Sequence, residues 1–184
     1  ALVISTPVAI VTAIGNAARQ GVLIKGGAYL EELSRVRTIA FDKTGTLTKG
    51  QPEVKNVEVT SSISEDQLIA IVASVEKHSQ HPLAKSILNE AFKRNLHVTT
   101  AEQFQSVTGK GAYGIVNGEK VLVGSSSWIA ELVPIDNELQ KIIDSWANEG
   151  HSIIVAASNR EVIGIISVSD SIREDALVTI EQLR

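Results

Sequence analysis

Residues 39–48 read IAFDKTGTLT, an apolar run that ends on a carboxylate, Asp42, and continues at once into a lysine, a glycine, a leucine and three threonines. An aspartate at the C-terminal end of a buried parallel strand stands where open α/β sheets place their ligands. The Thr-Gly-Thr that follows can offer backbone N–H groups and hydroxyls to phosphate oxygens, and Lys43 adds positive charge beside them. Together these residue types suit a carboxylate nucleophile attacking phosphorus to give an aspartyl-phosphate. An enzyme built for rapid hydrolysis needs a second carboxylate two residues on, to protonate the leaving group and activate water. That position is Thr44, which cannot do this proton work, so the phospho-aspartate is expected to persist. An ordinary turn after a strand is the plain alternative.

Three other groups of residues carry possible chemistry. Glu76 and His81 flank a helix end at KHSQHP, where Pro82 suits the first turn of the next helix and holds His81 at its entrance. A lone histidine there reads as a cap or a surface residue. Gly109, Gly111 and Gly114 spell GKGAYG, a GxGxxG pattern without the strand-to-helix context of a dinucleotide fold. Asp170 and Arg173 stand in SDSIRED, where a helix N-cap is the plain reading of Asp170.

These residues need elements to position them. With 184 residues, 43% of them hydrophobic, the chain can bury a real core, and its length suggests one domain or two small ones. The net charge of -4 and the lack of a Lys/Arg run argue against a nucleic-acid platform while leaving room for one anionic ligand. There is no cysteine, hence no disulfide or thiolate metal site, and no methionine, so a natural start is not expected at Ala1. The first 18 residues are nearly uncharged, slightly short of a span, and read as the end of a transmembrane helix in which Pro7 frees a backbone carbonyl. Residues 21–33 read as a short amphipathic connector and VRTIAFDK as a buried strand ending at Asp42.

Beyond QPEV the style changes. VKNVEVT alternates as a strand, residues 65–79 and 81–95 have helical periodicity, and 104–124 read as strands joined by glycine turns, with Asn117-Gly118 as a hairpin signal. Residues 134–149 form another helical pattern, HSIIVAAS and EVIGIISVSD are strands about a turn at Asn159-Arg160, and the last residues open a helix. The pattern predicts an α/β start with an α+β insertion: the end of a membrane helix over 1–18, a connector and the start of the α/β unit over 19–50, an inserted α+β domain over 51–166 and a return to the first unit over 167–184.

DKTGTLT resembles the phosphorylation motif of P-type ATPases. The leader ALVISTPVAIVTAIGNAARQGVLIKGG and SQHPLAKSI are similar to the heavy-metal-transporting branch, nearest in style to its zinc/cadmium/lead exporters. The resemblance implies a haloacid-dehalogenase-like phosphorylation domain interrupted by an antiparallel sheet flanked by helices. It implies ATP and Mg2+ as cofactors, a divalent heavy-metal cation as cargo, and a multi-pass membrane protein whose present region is mostly cytoplasmic. Asp42 is then the phosphorylated residue, with Lys43 and Thr44 beside it. Glu76 and His81 recognise adenine, Gly109 and Gly111 allow the nucleotide close to the backbone, and Asp170 and Arg173 form a hinge that touches it. Asp42 and the Thr44 carbonyl are the Mg2+ ligands available. Ser125 departs from the asparagine usual in copper-pumping relatives. The family's later phosphate and magnesium motifs and its Cys-Pro-Cys are expected outside these residues, so the chain is expected to bind ATP and to turn it over poorly. A soluble phosphatase or phosphotransferase of the haloacid-dehalogenase type, or a non-catalytic nucleotide-binding module, are the rival readings.

Overall fold

The computed structural model describes residues 2–79 and 81–183 of the chain, which divides into two compact units at Phe41/Asp42. The first contains helices α1 (Leu2–Arg19) and α2 (Gly27–Leu33). Pro7 lies inside α1, and Gly27 is needed where α2 begins, because a Cβ there would sit 2.9 Å from the Ile10 side chain. No described helix is long and apolar enough to cross a membrane.

Residues 36–41, expected as a buried strand, form none. Val36, Ile39 and Phe41 are 50%, 49% and 41% exposed. The reason is the missing ladder: no strand among the described residues pairs with this segment, and an apolar parallel strand is stable only between neighbours that take its hydrogen bonds.

In the second unit the described strands form one antiparallel sheet. Its members are β1 (Thr48–Val59), β2 (Glu102–Val107), β3 (Gly111–Val116), β4 (Glu119–Gly124), β5 (Ser152–Ser158) and β6 (Glu161–Ile172), in the order β1-β6-β5-β4-β3-β2. Positions 51 and 166 fall inside β1 and β6. Alternation decides the faces. One face, with Val121, Val123, Ala156, Ile166 and Val168, packs under α3 (Glu65–Glu76) and α4 (Pro82–Lys93). The other, with Val155, Ala157 and Ile165, packs under α5 (Ser126–Leu132) and α6 (Asn137–Asn148). A last helix, α7 (Glu174–Gln182), follows β6.

Local chemistry fixes the ends. Ser64 and Gln67 form a capping box at α3, Asp136 caps α6, and Asn117 and Gly118, both at positive φ, turn β3 into β4. At the far side of the helix pair, Arg94 after α4 meets Glu90, Asp66 and Glu65, which ties the end of α4 to the start of α3.

Candidate functional site at one end of the sheet

Thr44 (φ -78°, ψ 119°) and Gly45 (φ 78°, ψ -6°) have the dihedrals of a type II turn, whose second central position needs φ > 0. Glycine is the residue that adopts it without penalty. Asp42 precedes the turn in extended conformation, and its exposed carboxylate makes no hydrogen bond to the turn. Thr48, 1% exposed, holds the loop closed from behind. Its Oγ1 accepts the Gly45 N–H at 3.1 Å and lies 3.1 Å from the Lys43 carbonyl and within donating distance of Asp170 Oδ2. One hydroxyl proton thus serves two acceptors. The Arg173 N–H donates to the Leu47 carbonyl at 2.9 Å, a second tie between the loop and the end of β6.

Asp170 is not a helix cap. It lies in β6, opposite Pro52, where the β1–β6 register shifts between Thr48 and Pro52. A shift of this kind strands backbone donors, and Asp170 takes them: Gly50 N donates to Oδ2 at 3.0 Å and Gln51 N to Oδ1 at 3.1 Å. Burial pushes this carboxyl up, but the Thr48 hydroxyl, the Gln51 and Gly50 N–H groups and the Lys43 charge outweigh it and hold the group below its ordinary value. Arg173 occupies the N-cap position of α7 without a side-chain cap, and its Nε donates to Asp175 at 3.2 Å.

Glu76 ends α3 and is only 9% exposed. Burial raises its carboxyl above the ordinary range, against weaker pulls from the Ser79 hydroxyl and from His81. His81 is the N-cap of α4, with Pro82 at the first helical position, as its sequence context predicts. Its Nδ1 accepts the Leu83 N–H at 3.3 Å, which places the proton of the neutral ring on Nε2 and leaves that N–H as the ring's donor. Gln80, between them, lies outside the described residues.

Gly109 (φ +72°) turns β2 into β3, and nothing lies within 4 Å of where its Cβ would be. Gly111 has a packing reason of its own. A Cβ there would sit 2.2 Å from the Val123 carbonyl, 2.6 Å from Gly124 and 2.8 Å from the Trp128 ring. Gly124 is equally constrained, and Ser125 caps α5 through the Trp128 N–H.

The register brings these groups to one end of the sheet. Gly111 pairs with Gly124, Gly124 with Val155 and Val155 with Ile165, and from that row β6 runs on to Asp170 and Ile172, beside Thr48. From Ile165 to Ile172 the β1–β6 pair thus runs on past the row by roughly 23 Å, at ~3.3 Å per residue. Helix α3 starts over the β3–β4 hairpin, where Ile63, Gln67 and Ile71 share a cavity with Val116, Asn117 and Val121. It then passes Ala101, whose N–H donates to the Ser74 carbonyl. Its twelve residues and the length of β3 both come to about 17 to 18 Å. Glu76 therefore arrives above the end at which the Gly109–Gly111 turn lies. Sequence reasoning missed Thr48 and Gly124. The last threonine of DKTGTLT, following a leucine at the start of a strand, was the available signal for the first, and the close pairing with Gly111 gives none for the second.

Residues 36–184 match the haloacid dehalogenase-like hydrolase family. The whole chain is 43% identical to a cadmium-transporting ATPase of Staphylococcus aureus, covering 26% of it, and 42% identical to the zinc/cadmium/lead-transporting P-type ATPase of Escherichia coli, covering 24%. It spans about a quarter of the length of these relatives. Among solved structures, a zinc-transporting PIB-type ATPase matches 99% of the chain at 42% identity with a TM-score of 0.85, and the chain covers 29% of it. The chain belongs to the haloacid dehalogenase-like hydrolases and is related, over its whole length, to the heavy-metal-transporting P-type ATPases.

Proposed function

We propose that this chain is the nucleotide-binding and phosphate-accepting region of an ATP-driven exporter of divalent heavy-metal cations, with zinc, cadmium or lead as cargo, as the names of its relatives suggest. The observation that carries the reading is the convergence of the Glu76–His81 helix junction, the Gly109–Gly111 turn and the Asp42 loop on one end of a single sheet. Residues 51–166 form the nucleotide-binding domain. The adenine lies at Glu76 and His81, where the histidine's Nε2–H offers a donor to a base nitrogen and the Glu76 carboxyl an acceptor to the base's amino group. The projecting β1–β6 pair, braced by Asp170 with Arg173 beyond it, is the hinge that carries the nucleotide to Asp42.

In the transfer, an Asp42 carboxylate oxygen attacks the γ-phosphorus, the bond to the bridging oxygen breaks, and ADP leaves with the electron pair. The type II turn presents the Thr44–Thr46 backbone and hydroxyls to the phosphoryl oxygens, and Lys43 offsets their charge. Mg2+ suits the donors present: the Asp42 carboxylate and the Thr44 carbonyl are hard oxygens and would hold it. When bound it neutralises phosphoryl charge. With threonine two residues after the nucleophile, no carboxylate of this loop activates water. The full-length protein is then an integral membrane protein, with this region on the cytoplasmic side.

The test is acid-stable, hydroxylamine-sensitive labelling of the full-length protein from γ-labelled ATP. Asp42→Asn is expected to abolish the label and leave ATP binding near normal; labelling that persists in this variant rules Asp42 out as acceptor.

A further inference from the structure

The turn between β2 and β3 carries one charged side chain, and its surroundings are unusual for a surface lysine. The backbone of Lys110 is pinned on both sides: its N–H donates to the Val107 carbonyl at 3.0 Å, and its carbonyl accepts the Ser125 N–H at 2.9 Å. Gly109 on one side has open space where a side chain would be, and Gly111 on the other is locked against Gly124 and Trp128. The lysine therefore springs from a rigid base beside a bare stretch of backbone. Its Nζ is held at 2.8 Å by Glu131 of α5. Both side chains are about half exposed, at 45% and 58%, and an ion pair so placed adds little to stability. Among the described lysines at the junction of α3 and this turn, Lys77 already donates to the Thr100 hydroxyl.

We propose that Lys110 is a phosphate-reading residue of the nucleotide site, and that Glu131 competes for it while the site is empty. The proposal rests on the placement of the base at Glu76 and His81. With the base there, and α3 delivering Glu76 above the end of β3, the phosphates pass over the open backbone at Gly109; Glu131 holds the Lys110 ammonium on the α5 face, and from this turn at the end of the sheet the side chain can swing round to the phosphates. An ammonium binds phosphate as a mobile point charge, so it can leave a carboxylate for a polyphosphate without rearranging the turn. Glu131 then sets a threshold: only a ligand with more than one phosphate charge displaces it well. The ligand class this selects is nucleoside di- and triphosphate over monophosphate and nucleoside.

Calorimetric titration of the 184-residue chain with adenosine, AMP, ADP, ATP and inorganic tripolyphosphate tests this. Lys110→Gln is expected to weaken ATP and ADP about fivefold, to leave adenosine unchanged and to flatten the salt dependence of ATP binding. Lys110→Arg should keep most of the affinity. Glu131→Gln should tighten ATP two- to threefold, again without effect on adenosine, in keeping with a surface pair of about half a kcal/mol (a tenfold change being 1.4 kcal/mol). Equal losses of adenosine and ATP in Lys110→Gln would show that the side chain merely holds the turn, and an unchanged ATP affinity would remove it from the site; either overturns the proposal. Tripolyphosphate separates the two readings. If it binds in a Lys110-dependent way while adenosine does not bind at all, the phosphate role stands and the base pocket at Glu76 and His81 falls. If adenosine binds through Glu76 and His81 but tripolyphosphate is indifferent to Lys110, the reverse holds.

Discussion

Replacing Thr48 by valine keeps the shape of a side chain that is 1% exposed and removes a single hydroxyl. That hydroxyl accepts from Gly45, and its proton is shared between the Lys43 carbonyl and the Asp170 carboxylate, so the substitution strips three contacts from two parts of the chain that are far apart in sequence. A hydrogen bond to a charged group contributes about 1.5 to 3 kcal/mol, and because Asp170 keeps the Gly50 and Gln51 N–H groups and some access to water, the lower part of that range applies. The orphaned Gly45 N–H adds a few tenths more, for a total of about 2 kcal/mol. With a urea slope of about 2 kcal/mol/M, the midpoint falls by about 1 M. The assay is urea unfolding followed by tryptophan fluorescence, since Trp128 is buried in the core of the sheet unit. Thr48→Ser should restore most of the loss, and a cycle with Asp170→Asn should show a coupling of at least about 1 kcal/mol. The pH dependence has a definite sign. The Asp170 carboxyl is held below its unfolded value, so its contribution is present above an unfolded pKa of about 3.9 and is lost as pH falls through the lower folded value. Thr48→Val should weaken that acid-side loss. A midpoint shift under about 0.2 M, or strict additivity with Asp170→Asn, would refute the hub.

Other outcomes follow from the same geometry. Gly111→Ala must push apart the Val123 carbonyl, Gly124 and Trp128, and is expected to destabilise by about 3 kcal/mol, whereas Gly109→Ala meets only the left-handed backbone penalty of about 1 kcal/mol; chemical unfolding of the two side by side checks the contrast. Burial raises the Glu76 carboxyl, so ionising it removes stability as pH climbs from its unfolded value through the higher folded one. Glu76→Gln should therefore unfold at higher temperature than the parent at pH 7, lose this advantage near pH 4, and bind adenosine more weakly. In the full-length protein, Thr44→Asp should supply the missing general base and shorten the phosphoenzyme lifetime, toward the 10²- to 10⁴-fold such a group contributes when well placed; a cold-ATP chase that shows no faster decay would mean that exclusion of water sets the lifetime.

Alternation and turn chemistry made most of the sheet readable in advance. The hairpin at Asn117-Gly118, the turn at Asn159-Arg160 and the helix start at His81-Pro82 all stand where those residues put them. The first half of β1 was not readable, because TKGQPE has no period of two and contains a proline. It is a strand because β6 lies beside it and because Asp170 absorbs the donors freed by the irregular register. Helix α5 went unseen because seven residues are too few to show a helical period, although Ser125 marks its start. VRTIAFDK misled in the opposite direction: its apolar run is strand-like, but a strand is a property of a pair. The expectation for Asp42 came from its own neighbours, whereas the contacts of Thr48, Gly124 and Glu131 depend on partners that only the fold brings near.

Thr48 and Ile172 are partners across the ladder, so the chain enters and leaves the sheet about 5 Å apart. To the residues just before and just after, everything built between these two is the tip of a hairpin. Once the unit is folded its two ends stand at hairpin distance, and lengthening its loops adds only a slowly growing closure cost. The layered unit can thus be lengthened, decorated or exchanged without asking its flanks to move, and cutting it out and joining Thr48 to Ile172 through an Asn-Gly turn would leave those flanks in register.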